Sequence, residues 1–552
     1  MLHAFLKKGS FQDSVSLMLI SRDLSKADDV NRVSIMMGTP ANKDVFRETG
    51  LWHDLLNDAG PNDICVVIDS DAGEEIVDQL RERMENAFAN LAKGRKSATF
   101  PIVHSFKRAV EVLPKSNIAL ISIAGMYAHE PAMQALKSGR HVMLFSDNVS
   151  VEREVELKTY GREHGLLVMG PDCGTSFING APLAFANRMN RGPIGIVGAS
   201  GTGIQELCSQ IALQGGGITH ALGLGGRDLT EKVGGLSAMT ALEMLSKDPD
   251  TKVIAFVSKP PAASVREKIS SLMQTLGKPV VALFLGTAPV KRREENVFFA
   301  YTLDEAARLA MELTHAIDAS AGLPDVAGKH ILGLFTGGTL ASETAMLLSE
   351  AIGVPQDAAH KEGYMLHADG HAVIDLGDDV YTRGRPHPMI DPSVRTERID
   401  MLDQSPDVGV LLMDVVLGFG SHPDPAGAVS ESVKALRERR KEPLVVIASV
   451  TGTEEDPQVR SAQIEKLVDA GIIVTAGPRE SVMLAVQLTA QKATAAAGEV
   501  PALLTEEPQI INIGLREFAE DLQTSKIRCV FYQWAPPCQG NERLQKLLAK
   551  ML

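Results

Sequence analysis

Short apolar runs alternate with stretches of helical period along most of the chain. Val33–Met37 and Ile64–Ile68 are runs of strand length, while Ser14–Asp23 and Glu74–Ala92 return an apolar residue every three to four positions. Together they predict a small α+β domain over residues 1–100, ended by the charged segment around Lys93–Ser97. Next, the strands Ile118–Ile123, Val142–Phe145 and Leu166–Met169 flank helices at Pro131–Ser138 and Glu152–His164. Apolar strands in alternation with helices predict a parallel, Rossmann-like sheet of nucleotide-binding type over 101–191.

From residue 192 the pattern repeats itself. Strand Ile194–Val197, the turn Gly198-Ala199-Ser200-Gly201-Thr202-Gly203 and helix Ile204–Leu213 return as strand Ile331–Phe335, turn Thr336-Gly337-Gly338-Thr339 and helix Leu340–Ile352. Downstream, Ile254–Ser258 corresponds to Val410–Val415, and Val280–Gly286 to Val445–Thr451. Two tandem flavodoxin-like domains are expected, 192–325 and 326–500, divided near Ala319–Lys329 where Ala, Gly, Pro and Asp break the periodicity. Residues 501–552 form a C-terminal α/β extension, with strands Ile510–Ile513 and Val530–Trp534 around helix Leu515–Gln523.

Length and composition fit this α/β reading. The 552 residues suffice for several domains, and 48 glycines with only 5% aromatics suit many tight strand-to-helix turns. A net charge of −14 argues against a nucleic-acid partner but leaves small anions open to backbone recognition. The apolar start is short and runs into Lys7-Lys8, unlike a secretion signal, and no run of about 18 apolar residues follows, so a cytoplasmic enzyme is expected. Cys65, Cys173, Cys208, Cys529 and Cys538 are scattered, without metal-ligand spacing, and read as small buried hydrophobes.

The repeated turns carry the candidate chemistry. A glycine-rich turn that opens a helix presents unpaired N–H groups at the positive end of the helix dipole, a setting for an anion. Ser200, Gly201, Thr202 and Gly203 in one copy, and Gly337, Gly338 and Thr339 in the other, are the phosphate-binding candidates. Plain helix capping explains either turn alone. Two related domains about a pseudo-twofold axis would aim both turns at one phosphate. Each copy has a second glycine turn, Gly223–Asp228 with Gly225, Gly226 and Arg227, and Asp375–Val380 with Asp378, running on to Arg383-Gly384-Arg385-Pro386-His387-Pro388. Such loops line the carboxyl end of a parallel sheet. Arg227, Arg383 and Arg385 offer forks for carboxylate or phosphate, His387 an acid or base, and Lys259 a further ligand. A solvated basic turn balancing Asp378 and Asp379 is the plain alternative.

Several of these runs resemble known proteins. Gly170-Pro171-Asp172-Cys173-Gly174, Gly198–Gly203, Gly223–Asp228 and Lys278–Gly286 resemble the α-subunit of succinyl-CoA synthetase, and Gly333–Thr339 through Met413–Gly420 resemble the carboxyl domain of its β-subunit. Almost the whole chain is similar to the FdrA family, notably Met36–Lys43, Phe145-Ser146-Asp147-Asn148-Val149 and Gly384–Pro392, and the resemblance assigns Asn148 and Asp172 to the cleft. Two departures from the ligases stand out. Gly286–Ala300 holds no histidine to carry a phosphoryl group, and the second repeat follows the first with no room for an ATP-grasp domain. The resemblance makes the 101–191 sheet CoA-binding-like, with the coenzyme A site matched only loosely and Asp172 where its motif has Asn. The FdrA resemblance implies one subunit of oxamate carbamoyltransferase, acting with two other subunits to split oxalurate with phosphate into oxamate and carbamoyl phosphate in anaerobic allantoin breakdown. For that reaction the two glycine turns are expected to hold the phosphate, Arg383 or Arg385 the oxamate carboxylate, and His387 to move a proton. No metal is called for. An acyl-CoA ligase completed by a partner chain and a non-catalytic assembly subunit are the other readings. The aromatic stretch Phe531–Pro537 suits either a partner contact or a final core strand.

Overall fold

The computed structural model describes residues 1–10, 12, 14–94, 100–355, 361–490 and 498–536. Arg95–Ser97 of the expected linker, and Pro537 and Cys538, lie outside them. In the amino-terminal domain β1 (Leu2–Lys7), α1 (Ser14–Leu24), β2 (Val30–Met37), α2 (Pro40–Glu48), β3 (Ile64–Ser70) and α3 (Glu75–Gly94) follow in order. β3 is central and pairs antiparallel with both β1 and β2.

The second domain contains β4 (Ile102–Val103), α4 (Phe106–Val112), β5 (Ile118–Ile121), α5 (Gly125–Lys137), β6 (His141–Leu144), α6 (Val151–Glu163) and β7 (Val168–Met169). α5 begins two turns before the expected Pro131, which sits inside the helix. The chain then forms the hairpin β8 (Thr175–Ile178) and β9 (Ala181–Ala184), followed by β10 (Arg191–Gly198), α7 (Gly201–Leu213), β11 (Ile218–Gly223), α8 (Leu236–Lys247), β12 (Val253–Ser258), α9 (Ala263–Gln274), β13 (Val280–Phe284), β14 (Arg293–Glu294), β15 (Val297–Ala300) and α10 (Leu303–Ser320). The hairpin joins the sheet of this first repeat through β8 and β11, so residues 175–184 belong with the repeat rather than with the Rossmann-like domain where they were expected.

The second repeat runs through β16 (His330–Phe335), α11 (Gly338–Ile352), β17 (Tyr364–Ala368), β18 (His371–Asp375), α12 (Asp379–Thr382), α13 (Ser393–Asp400), β19 (Val408–Val416), α14 (Pro425–Arg439), β20 (Val445–Thr451), α15 (Arg460–Asp469), β21 (Ile473–Thr475) and α16 (Pro478–Thr489). The strand orders β8-β11-β10-β12-β13-β15 and β17-β18-β16-β19-β20-β21 coincide position for position, and each has an antiparallel strand beside β11 or β18. This is the duplication seen in the sequence. The copies meet through helices, α7 packing on α10, α10 on α16 and α16 on α11. Arg479 Nε pairs with Glu312 2.7 Å away across that seam.

The C-terminal segment, with α17 (Ala502–Thr505), β22 (Gln509–Ile513), α18 (Arg516–Thr524) and β23 (Arg528–Tyr532), is not the separate extension expected. β22 and β23 insert between β4 and β5 to give one parallel sheet of order β4-β23-β22-β5-β6-β7. The reason is apolar: Ile510 and Phe531 bury into the core that also takes Ile118, Met143, Leu222 and Phe256, joining the Rossmann-like domain to the first repeat. A buried ionic network crosses the same interface. Lys158 Nζ on α6 lies 2.9 Å from Glu154 and 2.7 Å from Asp228, while Arg227 reaches Glu154 at 2.8 Å. Asp228 also accepts the N–H groups of Ser237 and Ala238 at the start of α8. No helix among the described residues is long and apolar enough to cross a membrane.

Candidate functional site

In the first repeat the glycine turn is capped by its own serine. The Ser200 hydroxyl caps α7 by accepting the Gly203 N–H at 3.2 Å, and the first intrahelical bond runs from Ile204 N–H to Ser200. The N–H groups of Gly201 and Thr202 precede that bond and have no helical partner. Thr202 is exposed. A short anion or oxyanion placed at this end would meet two amides, a hydroxyl and the helix dipole.

The second turn is built differently. The Thr336 N–H (2.8 Å) and hydroxyl (3.0 Å) donate to Asp414 Oδ1, and the Gly337 N–H donates to Asp414 Oδ2 at 2.7 Å. Arg395, fully buried, neutralises that carboxylate at 3.1 Å, with desolvation lowering its own pKa. Beside it stands Asp375 at the end of β18, with Oδ1 accepting the Gly377 N–H at 2.8 Å. Burial, with Asp378 and Asp414 nearby, pushes the Asp375 pKa up. The expectation that both turns make matching phosphate cradles is therefore corrected. Gly337 gives its N–H to Asp414, and the Asp375 carboxylate lies against Gly338.

Strand register explains the asymmetry. Gly198 pairs with Gly223 and Val257 in the first copy, while Phe335 pairs with Asp375, and Leu334 with Met413, one residue before Asp414. The two carboxylates thus replace Gly223 and Val257. Sequence reasoning missed Asp375, Asp414 and Arg395. The signal was present: Asp414 interrupts the apolar run Val410–Leu417.

His387 reaches this second turn. Its Nδ1 accepts the Met389 N–H at 3.2 Å, so the neutral ring carries its proton on Nε2, which lies 2.8 Å from where a Cβ on Gly377 would stand. Asp378 caps α12 by accepting the Val380 N–H. Arg383 is exposed, and Arg385 makes an exposed pair with Glu397 at 3.0 Å. Arg227 is no free anion clamp: besides Glu154 it donates to the Val149 carbonyl at 2.7 Å. Gly225 and Gly226 pack against Pro171 and Asp172. Lys259 is exposed at the end of β12.

Asn148 and Asp172 come together elsewhere, in a cleft of about 850 Å³ at the carboxyl ends of β5, β6, β22 and β23. The amino-terminal domain covers one side with Thr39–Asn42, and Phe145, Phe185 and Trp534 form apolar wall. α5 and α18 both start here without a side-chain cap. The runs Met36–Lys43 and Phe145–Val149 thus share one cavity.

Comparison with known proteins follows this division. A family model described as "AllF, heavy metal-associated domain" matches residues 1–101, a "CoA binding domain" model matches 189–286 and a "CoA-ligase" model matches 334–488. The uncharacterized protein YahF of Escherichia coli (strain K12) is 40% identical over 503 residues, covering 87% of this chain and 97% of YahF. The chain belongs to the YahF family. This YahF-family chain is of succinyl-CoA synthetase-like type, and its CoA binding match falls on the first repeat, not on 101–191. The succinate–CoA ligase (ADP-forming) subunit alpha of Methanothermobacter thermautotrophicus is 25% identical over 221 residues, 39% of this chain and 74% of that relative. A dinucleotide-forming acetyl-coenzyme A synthetase 1 from Ca. Korarchaeum cryptofilum, solved with phosphate and ADP, aligns at 15% identity and TM-score 0.40 over 67% of this chain and 82% of that one. The donors do not fit a heavy metal in the amino-terminal domain. Cys65 is its one cysteine. It is buried in β3 with its pKa pushed up to about 11, and no group of three His, Cys, Asp or Glu able to hold a metal occurs among the described residues.

Proposed function

We propose that this chain is a subunit of a carbamoyl-transferring enzyme that cleaves oxalurate with phosphate to oxamate and carbamoyl phosphate in allantoin breakdown. The observation that supports the reading is a ligase-like tandem whose first glycine turn leaves the Gly201 and Thr202 N–H groups without a helical partner while Gly286–Ala300 holds no histidine. A nucleotide-driven ligase of this type needs that imidazole; phosphorolysis does not. The amino-terminal match to an AllF domain supports the same reading.

Phosphate sits on the N–H groups of Gly201 and Thr202 and the Thr202 hydroxyl, aimed by the start of α7. One of its oxygens attacks the carbamoyl carbon, the carbon–nitrogen bond to the oxamate nitrogen breaks, and that nitrogen takes the proton brought by hydrogen phosphate. His387, with its proton on Nε2, relays it. Arg383 or Arg385 holds the oxamate carboxylate. Two partner subunits complete the enzyme.

The test is carbamoyl phosphate formation by the complex reconstituted from all three subunits. Thr202→Phe is expected to raise the KM for phosphate by about tenfold or more, the worth of one or two charge-assisted hydrogen bonds, and His387→Gln to lower kcat. Unimpaired phosphorolysis by Thr202→Phe rejects the phosphate assignment. An acid–thiol ligase is the second reading, supported by the named ligase relatives and by the cleft, whose aromatic wall and uncapped helix starts suit coenzyme A. ATP- and CoA-dependent thioester formation by the same complex would establish it instead.

A further inference from the structure

The seam between the two repeats encloses a cavity of about 370 Å³, walled by Pro279, Arg293, Phe298, Asp325 and Val326 and by parts of α10 and α16. It lies at the amino ends of β13 and β15, whereas both glycine turns close the carboxyl ends of their strands. α11 spans the distance from the second turn: Gly338 opens it, and Ala351, in its last turn, stands about 20 Å along its axis. Cavities of this size between domains are where small molecules bind.

What distinguishes this one is an unmatched cation. Lys291 and Arg292 pair with Glu294 and Glu305, but Arg293 pairs with no carboxylate among the described residues. Its side chain is half-buried, with Cζ 4.9 Å from the centre of the Phe298 ring. Nε donates to the Glu295 carbonyl at 2.6 Å, and Nη1 donates to the carbonyl of Ala351 at the end of α11. Those bonds use two of the five N–H groups of the guanidinium, and the other three have no partner among the described residues. Burial disfavours the charge and lowers the Arg293 pKa. Half-buried Lys278 stands in the same wall, its Nζ donating to the carbonyls of Leu245, at 2.9 Å, and Asp248. The acid of that wall, Asp325, accepts the Ala327 N–H at 3.2 Å. An adjoining cavity of about 600 Å³ also touches Arg293, but Glu295 and Asp369 line it and its charge is mixed.

We propose that the smaller cavity is a binding site for a small organic carboxylate, whose oxygens take the free N–H groups of Arg293 while its apolar body lies against Phe298, Val326 and Val486. A planar guanidinium fork matches a carboxylate, and the apolar wall favours a ligand with an apolar body over a bare ion. This site goes beyond the transfer reaction proposed above and is independent of it, because neither glycine turn takes part.

The experiment uses benzoate as the probe on the full chain, with benzamide as its uncharged match and inorganic phosphate as the bare anion. A ligand of this size binds at about millimolar strength, so each is supplied at about 10 mM. Phenylglyoxal labelling followed by peptide mass spectrometry reads Arg293 directly. Benzoate should slow its labelling by about fivefold or more, and benzamide and phosphate by about twofold or less, as the loss of a charge-assisted bond or of the apolar contact implies. Arg293→Gln should weaken benzoate binding about tenfold or more in ligand-observed NMR. Labelling of Arg293 that benzoate leaves unchanged in the unmodified chain overturns the inference without recourse to any variant. So does benzoate affinity unchanged in Arg293→Gln, which places the probe elsewhere, and so does protection by phosphate equal to that by benzoate, which leaves an adventitious ion only.

Discussion

Asp414→Asn tests whether the second turn is held by charge. In the native chain Oδ1 accepts the Thr336 N–H at 2.8 Å, the Thr336 hydroxyl at 3.0 Å and Arg395 at 3.1 Å, while Oδ2 accepts the Gly337 N–H at 2.7 Å. An amide NH₂ in place of Oδ2 faces the Gly337 N–H donor to donor. Turning the amide over is worse, since it then opposes Thr336 and Arg395. One charge-assisted bond goes, worth about 1.5–3 kcal/mol, and the buried Arg395 loses its counter-charge. Breaking a buried pair from one side costs about 3–5 kcal/mol in total. Because the chain has several domains, the measurement should be local: amide hydrogen exchange over residues 331–352, where about 3 kcal/mol means exchange faster by roughly a hundredfold or more. Acceleration under about fivefold would show that the backbone turn holds itself and that Asp414 contributes little.

Lys158→Met leaves Glu154 and Asp228 buried without their shared cation, and the interface between the Rossmann-like domain and the first repeat should weaken by about 3–5 kcal/mol, read as earlier unfolding in urea; an unchanged midpoint refutes it. His141 is buried, accepts the Leu167 N–H at 2.9 Å on Nδ1, and has its pKa lowered by desolvation to about 4. The unfolded chain takes up that proton near pH 6.5 and the fold only near 4, so the stability present at neutral pH is lost at about 1.4 kcal/mol per unit as pH falls between them. His141→Gln should remove this part of the pH dependence, seen as a flatter profile of melting temperature from pH 7 to 4.5.

Apolar periodicity made the sheets legible. Val280–Leu283 and Val410–Val415, fully apolar or nearly so, could only be buried strands, and the paired glycine turns made the duplication visible before any coordinates. What escaped was long-range. Nothing local in Ile510–Ile513 says that its partner is Ile118–Ile121, since pairing is decided by which apolar edges remain uncovered after the rest has folded. The hairpin at 175–184 escaped for the same reason. At the site, residue types were readable but their occupancy was not: Arg227 has an arginine's fork whether or not a buried glutamate already fills it, and Gly337 has an N–H whether or not Asp414 has taken it.

The two inserted strands also set an order of events during synthesis. β4 and β5 leave the ribosome with the places beside them empty, and the strands that fill those places are made about 390 to 430 residues later, so at roughly 5–20 residues per second the nascent sheet waits about 20–85 s. Throughout that interval both repeats can mature while an unfinished edge stands bare. A ribosome that stops short of residue 509 therefore releases a chain with two finished repeats and a sticky, half-made sheet.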